Sequence, residues 1–390
     1  MAEPSATPPP SGRSFRLVLL ATFLSFSAFY APQPLLPTFA RELGAAPSTV
    51  ALLLGVCFAA LAVAPLGVGV VLQRFGARGI LVAATALLGV SQLAFAAADG
   101  IGGLLGARAG QGLLYPAIFT AAVTYCSRAG EPGAVAGRVA TYVATTILGG
   151  LSGRLIGGFV SDALGWRATF ALLGALLLAC AALLRLGARD QALPAARGGA
   201  GAALRILRTP AFAAGYALIG IAFLTFSGLL TALPFRLVAL DPAVAASTIS
   251  LVYLGYLVGV AISLNVARVH AALGGPVRAT GAGLALLIAG IGASAVPSVA
   301  VLIGAGFLTA AGMFTVHATL SGHLNGLRPD EAGLVNGLYI SIYYAAGAVG
   351  SFAPLWLYQR IGWTGFLVAM TLACATGFVP LARLGRAATP

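Results

Sequence analysis

Three residues able to do chemistry stand inside stretches otherwise apolar enough for a bilayer: Arg108, Arg154 and His317. A charge at the centre of a spanning helix costs roughly 2.5–3.5 kcal/mol on insertion scales, so each must face protein or water. Arg154 sits among glycines, with Gly149, Gly153 and Gly157 on one helical stripe and Gly150 and Gly158 one turn either side of it. Small stripes let another helix approach closely. Two readings of Arg154 stand: a positive group at the outer part of a central cavity or its gate, or a cap on backbone carbonyls between helices. Arg108 is followed at spacings of three and seven by Gln111 and Tyr115, all on one helical face. The five donors of Arg108 suit a substrate or proton-coupling contact, and equally a hydrogen-bond hub joining the first, fourth and fifth helices. His317 titrates near pH ~6.5 when unperturbed, which makes it a coupling candidate or a plain polar interface residue.

The absences are as informative. All nine carboxylates, Glu3, Glu42, Asp99, Glu131, Asp162, Asp190, Asp241, Asp330 and Glu331, fall outside the apolar stretches or at their ends. A carrier of cations needs a buried acid, and two arginines point instead to an anionic or neutral, amphipathic ligand. Tyr30 and Gln33, in the Pro-interrupted end of the first helix, and Tyr343 in the eleventh can line a cavity for it or simply pack. Cys57, Cys126, Cys180 and Cys374 are scattered singly without metal spacing, so no metal or other cofactor is expected. With no lysine, the chain cannot carry a Gly-x-x-x-x-Gly-Lys phosphate loop, which excludes ATP-driven pumping by this chain alone.

The elements that must position these residues follow from composition: 59% of residues are hydrophobic and 8% charged. Apolar runs of ~20 residues, the length that crosses a bilayer, recur from Phe15 to Leu381. They predict an all-α integral membrane protein of about twelve helices, near 15–37, 49–72, 79–97, 102–126, 138–160, 168–187, 211–234, 247–267, 279–296, 298–320, 333–357 and 364–382. Of the 22 arginines, sixteen fall on the side of both termini and four on the other, with Arg108 and Arg154 inside helices. The positive-inside rule then places both termini in the cytoplasm, so the net charge of +13 reflects orientation and not nucleic acid. An Ala/Gly/Arg-rich connection near 185–208 divides the chain into two six-helix halves, 1–195 and 196–390. A shift of 197 residues superposes Tyr142 on Tyr339, Gly150 on Gly347, Gly153 on Gly350, Gly165 on Gly362 and Trp166 on Trp363. An even number of helices per half keeps both halves in the same orientation, with a path between them. Trp166 and Trp363, near outer helix ends, read as interfacial anchors.

After the second helix, Gly69-Val-Val-Leu-Gln73-Arg74-Phe-Gly76-Ala-Arg78 resembles the loop signature of the major facilitator superfamily, with Gln73 where that family has Asp. Arg108-Ala-Gly-Gln111-Gly112 resembles its Arg-x-x-Gln-Gly pattern, and Gly153-Arg154-Leu-Ile-Gly157-Gly158 its antiporter motif, with arginine in place of proline. Tyr30-Ala-Pro32-Gln33-Pro34, Ser152-Gly153-Arg154, Gly165-Trp166-Arg167 and His317 together resemble the bacterial branch labelled arabinose-efflux-like. The resemblance implies two pseudo-symmetric six-helix bundles and proton-linked export of a small molecule by alternating access. The signature around Gly69, Gln73, Arg74, Gly76 and Arg78 would then be a conformational latch, weakened by the missing anionic charge at Gln73.

The leading expectation is thus a monomeric inner-membrane exporter of an organic acid, antibiotic or siderophore-like compound, with protons and the lipid bilayer as its other partners. An importer or uniporter on the same fold is the alternative, and a non-transporting receptor a remoter one. An enzyme is not expected, because one buried histidine without a buried acid makes no catalytic set.

Overall fold

A computed structural model describes residues 12–63, 76–127, 132–188 and 200–387. Among these residues the chain is helical throughout. Twelve helical segments follow one another: α1 (Gly12–Tyr30), α2 (Pro47–Val63), α3 (Ala77–Ala97), α4 (Ile101–Ser127), α5 (Pro132–Leu164) and α6 (Trp166–Gly187). The second half supplies α7 (Pro210–Leu240), α8 (246–264, with a 3₁₀ step at Leu251–Leu254), α9 (Pro276–Ala293), α10 (Val299–Leu327), α11 (332–361) and α12 (363–375). Nine helical runs among the described residues are long and apolar enough to cross a membrane. One of them, Pro329–Arg386, contains both α11 and α12, which part at Gly362 where φ is +72°. With α4, whose 27 residues reach about 40 Å, and the shorter apolar α2, the count expected from hydropathy is met. An even number of crossings puts Gly12 and Ala387 at one face, the terminal face; the opposite one is the distal face.

Proline ends α1 as the sequence suggested. The helix stops at Tyr30 and continues through a 3₁₀ turn, Gln33–Leu35, into a short helix, Leu36–Glu42. Left-handed glycines start every third helix: Gly76 before α3 (φ +71°), Gly165 before α6 (+82°), Gly275 before α9 (+111°) and Gly362 before α12 (+72°). Only glycine holds such a turn without strain.

Glycine also sets the helix contacts. A Cβ on Gly149 would lie 2.6 Å from the Phe23 carbonyl, one on Gly157 2.5 Å from that of Ala31, and one on Gly153 would overlap the backbone at Ser27, so α5 lies directly on α1. In the second half Gly350 meets the backbone of Leu224, and Gly347 the ring of Phe223, which lays α11 on α7 in the same way. The 197-residue shift that relates Gly153 to Gly350 also relates Ser27 to Leu224, so the internal repeat is a repeat of contacts.

Trp166 and Trp363 depart from the interfacial reading. They begin α6 and α12 but are only 3% and 8% exposed. Each indole N–H donates inward, Trp166 to the Glu42 carboxylate at 2.7 Å and Trp363 to the Ser294 carbonyl at 2.8 Å. Where every neighbour is apolar, sequence does not tell a protein-facing ring from a lipid-facing one. At the terminal face the short helix Ala200–Arg208 is tied by an Arg205–Glu331 ion pair to the turn before α11. The hydrogen bond from Arg328, with Arg205 beside it, holds the Glu331 carboxyl below the usual carboxylate range.

Candidate functional site

Arg154 is 1% exposed and stands where α1, α5 and α8 meet. Its Nε donates to Gln33 Oε1 at 2.7 Å, Nη1 to the Gly150 carbonyl at 3.0 Å, and Nη2 to the Tyr256 hydroxyl at 3.0 Å. Three rings enclose the guanidinium: Tyr30 at 3.9 Å, Tyr256 at 4.4 Å and Tyr253 at 4.9 Å. Such faces stabilise a desolvated cation by up to about 2 kcal/mol each. Ser250, also on α8, donates its hydroxyl to the backbone carbonyl of Arg154 at 2.9 Å.

The halves close around this point toward the distal face. A Cβ on Gly158 would overlap Ser250 Oγ and lie 2.5 Å from the Ala246 carbonyl, so α5 and α8 touch without side chains between them. One turn on, the Asp162 carboxylate accepts the backbone N–H groups of Ala246 (3.0 Å) and Ser247 (2.8 Å), capping the first turn of α8 with a negative charge. The Ser48 N–H donates to Gln359 Oε1 at 3.3 Å, joining α2 to the distal end of α11. Burial is reversed toward the terminal face. Residues 137–148 of α5 include no buried side chain, and in 256–273 only Gly259 is buried. Among the described residues, the molecule is closed distally and parted at the terminal face.

Arg108 lies in another environment. It is fully buried, donating to the carbonyls of Leu53 (2.6 Å), Phe29 (2.9 Å) and Ala28 (3.5 Å), to Gln111 Oε1 (2.9 Å) and to the Tyr115 hydroxyl (3.4 Å). The hub therefore joins α1, α2 and α4; α5, expected as a member, takes no part because its glycine stripe faces α1 elsewhere. Gln111 extends the network to the Ser91 carbonyl on α3 at 3.3 Å.

His317, half-buried on α10, places Nδ1 3.0 Å from the Tyr339 hydroxyl, and its ring is 5.2 Å from that of Tyr343. Phe58 bridges the halves, its ring 6.1 Å from Tyr30, 5.7 Å from Phe223 and 5.9 Å from Tyr344. Among the described residues no carboxylate lies inside the bundle: Glu42, Asp99, Asp162, Asp241, Asp330 and Glu331 are at helix ends or in turns.

The predicted residues thus gather into three groups: Arg154 with Tyr30, Gln33 and Gly150; Arg108 with Gln111 and Tyr115; His317 with Tyr343. Gly69, Gln73 and Arg74 lie outside the described residues, whereas Gly76 caps α3 and Arg78 Nη2 donates to the Arg185 carbonyl. Sequence reasoning missed Ser250, Tyr253, Tyr256 and Asp162. The one available signal was Tyr253 and Tyr256 three apart on one face of an apolar helix.

A twelve-helix membrane bundle with its buried cation at the seam of its two halves defines a polytopic carrier-type protein. The sequence profile of the Major Facilitator Superfamily matches residues 18–274, and the chain belongs to that family. That family is one of membrane transporters and is not an enzyme class. Relatives include the inner membrane transport protein YnfM of Escherichia coli K12, 32% identical over 171 residues, or 43% of this chain and 41% of YnfM. An uncharacterized MFS-type transporter of Bacillus subtilis 168, YybF, is 28% identical over 158 residues, 40% of this chain and 39% of its own. These matches span about two-fifths of each relative's length. Among solved structures, the human organic anion transporter MFSD10 (TETRAN) superposes with a TM-score of 0.70 at 19% identity, over 96% of this chain and 100% of that one. A bacterial homologue of the human lysosomal transporter Spinster superposes with a TM-score of 0.70 at 16% identity, over 96% and 94%. Both likenesses concern the fold.

Proposed function

We propose that this transporter exports a small organic anion across the bacterial inner membrane in exchange for protons, with both termini in the cytoplasm. The observation that carries the reading is Arg154, a buried cation at the seam with no buried carboxylate beside it among the described residues. The residues before 196 and those from 196 onward act as the two bodies that rock about this seam. Arg154 both attracts the anion and, through Tyr256, holds the distal gate closed. A ligand that takes the place of Tyr256 on Arg154 loosens that gate, and differential binding of this kind is what shifts a conformational equilibrium. His317, with Tyr339, is the proton-carrying candidate, and the segment from Gly69 to Arg78 the latch of the opposite face. Arginine bias places the terminal face in the cytoplasm, and the names of YnfM and MFSD10 agree with an inner-membrane location and an anionic cargo.

The test is uptake of a radiolabelled organic anion into proteoliposomes under an imposed proton gradient. Accumulation that a protonophore abolishes, and that Arg154→Gln and His317→Gln each remove, is expected. Equilibration without accumulation, unaffected by the protonophore, would establish the uniporter alternative. Accumulation of organic cations instead would overturn the charge argument.

A further inference from the structure

We propose that the seam selects planar aromatic monocarboxylates, holding the carboxylate at Arg154 and the ring against a wall formed by Phe58, Phe223, Tyr343 and Tyr344. The inference rests on the anion reading above and narrows it to one chemical class.

The charged end of the site is incomplete. A guanidinium has five N–H donors, and the bonds of Arg154 to Gln33, Gly150 and Tyr256 use three of them. One N–H remains on each terminal nitrogen, a set that a carboxylate engages in charge-assisted hydrogen bonds. Tyr256 accepts from Arg154 and so keeps its own hydroxyl proton for an anionic oxygen. Ring faces and neutral oxygens surround the charge, and the anionic pairing that a buried cation calls for is left to a ligand. One guanidinium sets the complementary charge at minus one. Arg108 is not a rival, since fixed carbonyls of α1 and α2 and the side chains of Gln111 and Tyr115 on its own helix occupy its donors.

The remainder of the seam is aromatic, its rings set partly face-on and partly edge-on to one another. From Tyr30 above Arg154 the rings continue to Phe58 (6.1 Å), from Phe58 to Tyr344 (5.9 Å, inclined 25°) and from Tyr344 to Tyr343 (5.1 Å). Phe223 stacks on Tyr343 at 3.6 Å and 14°, which stiffens the wall. Tyr30, Tyr256, Tyr343 and Tyr344 are half-buried at the level where the halves begin to part, with Phe58 and Phe223, each 3% exposed, packed behind them. A planar ring gains edge and face contacts with such a wall that a puckered alkyl skeleton of equal size does not.

Isothermal titration of purified full-length protein with 2-naphthoate, its saturated analogue decahydro-2-naphthoate and the neutral 2-naphthamide tests this. Naphthoate is expected to bind about 3- to 10-fold tighter than the saturated acid, the range of an aromatic pair contribution. Phe58→Leu and Tyr344→Leu, measured separately so that misfolding of one leaves the other, are each expected to narrow that ratio to about twofold while the saturated acid still binds. Arg154→Gln is expected to remove binding of both acids. Equal affinity for the two acids in the unmodified protein would overturn the aromatic selection and leave the anion reading standing. Equal affinity for naphthoate and naphthamide, or no binding of either acid, would overturn both.

Discussion

Arg108 and Arg154 are both buried arginines in the distal part of the bundle, yet their partners differ in kind. Among the described residues every hydrogen bond of the Arg108 side chain stays within the first half, and three go to backbone carbonyls of α1 and α2. Arg154 divides its bonds between the halves, and among the described residues its guanidinium donates in the second half to the side chain of Tyr256 alone. The Ala28 and Phe29 carbonyls bound by Arg108 sit at the Pro-interrupted end of α1, where the helical ladder stops, and cannot move away, whereas Tyr256 can turn away. Burial and charge alone therefore do not separate a structural arginine from a working one; what separates them is whether the partners can leave.

The largest expected effect tests the fixed member of this pair. Arg108→Leu orphans the carbonyls of Ala28 and Phe29, each worth about 1–3 kcal/mol, and should lower stability by at least about 2 kcal/mol, read as loss of monodisperse protein after extraction. Arg154→Gln should retain the fold, with a cost of about 1–2 kcal/mol, while abolishing anion-induced thermal stabilisation and transport. Equal destabilisation by both substitutions would erase the distinction. Gly158→Val places a side chain into Ser250 and should hold the distal gate open, seen as faster thiol labelling of a cysteine introduced at Thr38, beside the gate. Asp162→Asn removes the negative cap on α8 and should act in the same direction by about 0.3–1 kcal/mol, and the same labelling assay measures it. Unchanged labelling in both variants would mean that α5 and α8 do not gate.

Much of the architecture was legible because hydropathy and arginine bias act along the chain. Glycines 149, 153 and 157 announced a close helix neighbour through their spacing, although not that the neighbour is α1. Arg108 with Gln111 and Tyr115 was legible for the same reason, since all three lie on one face of one helix. The second half of the Arg154 site was not. Ser250, Tyr253 and Tyr256 reach it only through the register of α8 against α5, which depends on the absent side chain at Gly158 and on no local pattern. Asp162 looked like a loop acid at a helix end because the two donors it binds are backbone N–H groups from the other half.

The left-handed glycines at 76, 165, 275 and 362 mark a shorter period than the one shared by the halves. Each stands between the second and third helix of a three-helix block, and three crossings carry the chain to the opposite face, so successive blocks run through the bundle in opposite senses. On the rocking motion proposed above, such an arrangement would contain its own reversal: were two neighbouring blocks to exchange their tilts, the opening would pass from one side of the bilayer to the other, and the second state would need no second design.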